Sequence, residues 1–127
     1  MVEKIIHYII YKLGCASPFR ISRILLLLDW ASMEKLGRKL TNLTYKATPY
    51  AFYIEELPSI LEKLEEKGYV VKNVERKCFE YRQPPPKVSI EISKLVDEIL
   101  EKVKELSDVE LNRLVIRDPR YRSLLGG

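Results

Sequence analysis

The chain has a single histidine and only two cysteines among its 127 residues, and each scarcity removes a class of chemistry. His7, Cys15 and Cys78 supply at most three nitrogen or sulfur ligands, so a zinc site would need carboxylates to complete it, and no metal or other cofactor is expected. The five glycines stand at 14, 37, 68, 126 and 127, and nowhere cluster into a loop that could cradle a phosphate. His7 has no evident partner for general-base work, which points away from an enzyme. No apolar run approaches the roughly 18 residues that would span a bilayer, so no membrane association is expected. The N-terminus carries Glu3 and Lys4 inside an amphipathic pattern and lacks the features of a signal peptide, which makes an intracellular, cytoplasmic protein the expectation. Glutamine occurs once, as Gln83, while Lys, Glu, Ile and Leu abound. That balance leans toward hyperthermophiles, in which intracellular disulfides occur. A Cys15–Cys78 bridge is thus conceivable, but two small, buried, inert thiols are the favoured expectation.

What is present suits one soluble globular domain: 46% of residues are hydrophobic and 31% charged. The net charge of +4 is unevenly placed. Residues 1–48 hold eight basic and three acidic groups, residues 49–83 six and seven, and residues 84–127 eight and eight. A basic N-terminal third suits nucleic acid, an anionic partner or plain solubility.

Ile5, Ile6, Ile9, Ile10 and Leu13 follow helical spacing up to Gly14. Ser17-Pro18 then reads as an N-cap and first-turn proline, opening a second helix that runs to Gly37. Its Ile24–Leu28 stretch is apolar on every side, the pattern of a central helix, with Trp30 and Met33 as further core or interface residues. Alternation through Leu43, Tyr45 and Ala47 predicts a short strand, and Ile54, Leu57, Leu61 and Leu64 predict a helix that ends near Gly68. Two β-rich segments, 69–72 and 77–82, flank a polar turn and predict a hairpin. Pro84–Pro86 should form a stiff spacer. Beyond it, Ile92, Leu95, Val96, Ile99, Leu100, Val103 and Leu106 form a stripe for the N-terminal helix of the same chain or for a second protomer, favouring a homodimer. Ser107 and Glu110 make a capping box, Asp118-Pro119 a turn, and the Gly-Gly end should fray. The expected fold is mainly α with a small β-hairpin: a winged-helix-like core over 1–83, a proline spacer over 84–88, and a C-terminal helical extension over 89–127 packed on the same domain.

The order helix, helix, short strand, helix ending in LEEKGYV and hairpin resembles the winged helix-turn-helix, carried mostly by LEKLEEKGYVVKNVERKCFEYR. A narrower resemblance covers about residues 20–66 and 107–124. The leucine helix ending in Asp29-Trp30, Gly37-Arg38, Leu40-Thr41, Tyr45, Ala47, Pro49-Tyr50 and the later LSDVELNRL before Asp118-Pro119 are similar to the SocA-like antitoxin family built on the Panacea module. Where that family usually has Gly-Pro after the tyrosine, this chain has Ala51-Phe52. The resemblance implies recognition of a protein, often a toxin or degradation machinery, without catalysis.

Two sets of candidate contact residues follow. For DNA, the first reading, the wing offers Lys72, Arg76, Lys77 and Arg82, and the basic third offers Arg38, Lys39 and Lys46, with Arg20 and Arg23 nearby in sequence. Arg113, Arg117 and Arg120 form a further basic series. The helix before the wing holds five glutamates against two lysines over 55–67, so any DNA contact should run through backbone phosphates in a transcriptional regulator. For the alternative, an antitoxin or adaptor gripping a protein client, Tyr50, Phe52 and Tyr53 are the candidate anchors. Asp29 is expected to pair with Arg23 or Arg38.

Overall fold

A computed structural model describes residues 1–125; the expected fraying of Gly126-Gly127 lies outside them. Helix α1 (Val2–Leu13) buries Ile5, Ile6, Ile9 and Ile10. It stops at Gly14, whose φ of 81° is open to a residue without Cβ. After strand β1 (Cys15–Ala16), the Ser17 hydroxyl accepts from the Arg20 amide and Pro18 opens α2 (Pro18–Leu36). Being apolar around most of its circumference, α2 can only lie in the middle, and it packs against α1 and the later helices α3 (Leu57–Glu66), α4 (Ile90–Val103) and α5 (Asp108–Ile116). Trp30 joins the core, but Met33 points outward, half exposed, and contributes no core packing.

Strand β1 pairs with β5 (Cys78–Tyr81), which pairs with β4 (Val70–Asn73), giving an antiparallel sheet in the order β1-β5-β4. The β4–β5 turn is held by the Asn73 side chain, which accepts from the Arg76 amide, and by Lys77 in the left-handed region at φ 56°. Cys15 faces Glu80, so Cys78, two residues along β5, is its diagonal neighbour on the same side of the sheet. The expectation of two inert thiols is thereby corrected: Cys15 and Cys78 form a disulfide across a Cα separation of 5.6 Å.

The segment after α2 forms a second hairpin that periodicity half revealed. Strand β2 (Tyr45–Ala47) pairs with β3 (Phe52–Ile54), with Lys46 opposite Tyr53. The Thr48 hydroxyl reverses the chain by accepting from the Tyr50 and Ala51 amides. Ile54 therefore belongs to a strand, and α3 starts three residues later than its hydrophobic spacing suggests.

The stripe on α4 is buried against α2 of the same chain, and the Ser107–Glu110 capping box starts α5. Of the placements expected for the stripe, packing within the same chain is the one seen, mainly against α2 rather than the N-terminal helix. A 3₁₀ turn at Pro119–Tyr121 and a short α6 (Arg122–Leu125) finish the described residues. No helix among them is long and apolar enough to cross a membrane.

Candidate functional site

The residues that carry chemistry fall into three places. The first is a polar knot inside the fold. The Asp29 carboxylate accepts from the Leu40 amide at 3.0 Å, the Thr41 amide at 2.8 Å, the Thr41 hydroxyl at 2.6 Å and the Tyr45 hydroxyl. The expected ion pair with Arg23 or Arg38 is absent. Four converging donors satisfy the carboxylate without a cation, and they fasten the loop after α2 to the helix itself. Burial and the Asp29 charge push the Tyr45 phenol well above its ordinary value, so it remains a donor.

His7 is fully buried and stacked on Tyr69 with ring centroids 5.0 Å apart. Its Nε2 is 2.9 Å from the Gln83 carbonyl, which can only accept, so Nε2 carries the proton and Nδ1 is left with no partner. Burial lowers its pKa against the opposing pull of that carbonyl.

The second place is the β4–β5 hairpin, the expected wing. Lys72, Arg76, Lys77 and Arg82 are all exposed, and none belongs to an ion pair among the described residues. Arg82 is separated from the other three: it follows β5, at the base of the hairpin, where its amide donates to the Tyr69 carbonyl. Arg38 and Lys39 follow the far end of α2, a helix of 19 residues and hence about 28 Å long. Lys46 lies on β2 with its ammonium 3.7 Å from Glu55. Arg20 is turned inward, donating to the Val103 and Leu106 carbonyls and to Asp108, and Arg120 is held by Asp118 and Glu34. The basic residues that sequence places in one third of the chain therefore do not gather into one stripe.

The third place is a groove of about 1040 Å³ between the start of α2, β3, α3 and the β4–β5 hairpin. Its walls are mainly apolar, from Phe19, Tyr53, Leu61, Val74 and Phe79, with Glu62 and Glu65 on the α3 side and Lys72 and Lys77 on the hairpin side. Of the β3 aromatics that line it, Tyr53 is 61% exposed, whereas Phe52 is 5% exposed, packs against Tyr45 and Tyr121 and reaches the groove only at its floor. Phe52 is therefore a core residue and the expectation that it anchors a partner is corrected. Tyr50 is exposed at the β2–β3 turn, where its carbonyl accepts from the Asn112 side chain.

At the floor lies Arg23, which sequence reasoning placed among surface cations. It is 3% exposed, and its guanidinium sits between the Phe19 ring at 3.9 Å and the Phe52 ring at 4.3 Å. It donates to Asn112 Oδ1 through Nε and Nη2, and through Nη1 to the Ser22 hydroxyl and the Phe52 carbonyl. Burial lowers its pKa to about 10, which leaves it charged at neutral pH. Its position four residues after Phe19, inside a leucine-rich helix, was the available signal.

No family model, curated protein or solved structure matches this chain. The site is read from its own chemistry. The apolar walls can accept side chains of a partner, while the titratable groups of the buried knot are bound to one another rather than aimed into the groove.

Proposed function

We propose that this chain is a non-catalytic protein-interaction module on a winged-helix-like scaffold, with the groove between α3 and the β4–β5 hairpin as its docking surface. The order α1-β1-α2-α3-β4-β5, with β1 beside β5 and a β2–β3 hairpin inserted before α3, supports the winged-helix-like reading. One observation carries the functional choice. The face from which a winged helix would address the major groove is here an apolar hollow, edged by Glu62 and Glu65 on α3 and by Lys72 and Lys77 on the hairpin. Apolar walls offer phosphates no donors, whereas they gain by covering side chains of a partner. The resemblance to the SocA-like family implies recognition of a protein and so agrees with this reading; four of the residues that carry it, Asp29, Leu40, Thr41 and Tyr45, meet in the knot that fixes the loop leading into β2.

The second reading is a DNA-binding regulator that contacts backbone phosphates. It is favoured by the exposed, unpaired Lys72, Arg76 and Lys77 of the hairpin. Affinity capture after nuclease treatment separates the two when it is run with two variants. Docking predicts a client retained by the parent and by Arg76→Ala/Lys77→Ala but lost by Tyr53→Ala. Material that is nuclease-sensitive, kept by Tyr53→Ala and lost with the hairpin variant selects the DNA reading.

A further inference from the structure

We infer that the segment received by the groove is acidic and carries two apolar anchors, one on each side of Phe19. The inference rests on the docking reading and deepens it. A second hollow, of about 470 Å³, opens between Phe19 and α5, where Val109, Asn112 and Ile116 line it. Phe19 is common to both hollows and is clamped from behind by the Arg23 guanidinium. The ring is thus a fixed ridge, and a chain crossing it places one side chain in each hollow.

Charge selects the chemistry of that chain. Arg23 is buried beneath the ridge with neutral partners only, and no carboxylate pairs with it among the described residues. Arg113 and Arg117, on the rim of the second hollow, are exposed and make no ion pair among the described residues, although Glu110 lies near enough to Arg113 to feel its charge. The acid at this end, Asp108, is bound to Arg20 at 3.0 Å. At the other end Glu62 and Glu65 face Lys72 and Lys77, so the charges offset one another there. Arg20, Arg23, Arg113 and Arg117 outnumber Asp108 and Glu110 at the α5 end, so the positive excess lies there, and covering it with a neutral or basic segment would remove water from cations that are only partly balanced. A carboxylate in the docking segment supplies that charge. A DNA backbone is also anionic, but it has no apolar side chains to place in the two hollows.

The test is selection of short random phage-displayed peptides on the full chain. Enriched peptides are then synthesised with a fluorophore, and their affinity is measured by anisotropy for the parent, for Tyr53→Ala and for Arg113→Glu/Arg117→Glu. The expected peptides hold two apolar residues and at least one Asp or Glu. They should lose about tenfold in affinity for the double variant, and their Lys-substituted versions should bind it better than they bind the parent. A neutralised Arg113→Gln/Arg117→Gln protein repeats the comparison should the reversed charges disturb folding. Neutral or basic peptides that depend on Tyr53 but ignore Arg113 and Arg117 would overturn the acidic occupant and leave the docking reading intact. No enrichment, or peptides indifferent to all three positions, would overturn both.

Discussion

The guanidinium of Arg23 lies 3.9 Å from the ring of Phe19, one helical turn earlier on the same face of α2. The pair is both a structural clamp and the floor of the groove. Arginine is suited to this place because its flat, weakly hydrated head can lie between two rings and still donate around its edge. Lysine has neither property. Arg23→Lys should therefore destabilise the fold by about 1–3 kcal/mol, through lost bonds to Asn112, Ser22 and the Phe52 carbonyl. Chemical denaturation measures this directly, and a midpoint equal to that of the parent would show that the clamp contributes nothing.

Asp29 organises the other end of α2. Asp29→Ala would leave the Leu40 and Thr41 amides and the Tyr45 hydroxyl without their acceptor. The expected loss is about 2–4 kcal/mol. Asn at this position retains one acceptor oxygen and should recover part of that loss. Equal melting temperatures for the parent and the Ala variant would contradict the structural role given to the knot.

The single histidine makes pH dependence simple to assign. His7 has its pKa lowered from an ordinary 6.5 by burial, so the unfolded chain takes up a proton more readily than the folded one. Stability from this group is complete above about pH 6.5 and declines as the pH falls through that value toward the folded pKa. The depressed carboxylates Glu56 and Asp118 also weaken the fold in acid, but at lower pH, below their ordinary values of 4.5 and 3.8. Urea titrations from about pH 7.5 to 5.5 should show a decline that His7→Phe abolishes. A decline that persists in His7→Phe would assign it to other groups.

The disulfide joins residues 63 positions apart and ties β1 to β5. Loop-closure entropy assigns such a bridge about 4 kcal/mol of stability, acting on the unfolded chain. Cys15→Ala/Cys78→Ala should fall in stability by that order, and a thiol reductant should then have no further effect. Parent protein whose unfolding is indifferent to reductant would contradict the bridge.

Local signals accounted for much of this fold. Ser17, Gly37, Ser107 and Glu110 act as the caps their positions suggest, because a cap depends on a few neighbouring residues. The β4–β5 hairpin was legible for the same reason. The β2–β3 hairpin was half legible, since Phe52, Tyr53 and Ile54 alternate only when paired to a partner strand over a turn made by the Thr48 side chain. The disulfide depended on a register between segments distant in sequence. Of the candidate contacts, Tyr50 and Tyr53 are exposed, whereas Phe52 is not. Arg20 and Arg23 illustrate the limit: composition counts them as surface charge, but α4 and α5 fold back over α2 and take up their donors. The groove itself was not legible, because its walls come from four separate elements.

The most direct measurement of the docking role is a site-specific photocrosslink. Benzoylphenylalanine at position 53 places a reactive ketone at the groove, and the same residue at exposed position 90, which does not line it, serves as the control. Docking predicts a nuclease-resistant protein adduct from position 53 that is absent from position 90 and disappears when Val74→Asp alters the groove wall. Adducts from position 53 that consist of nucleic acid, or protein adducts equally strong from both positions, would contradict it.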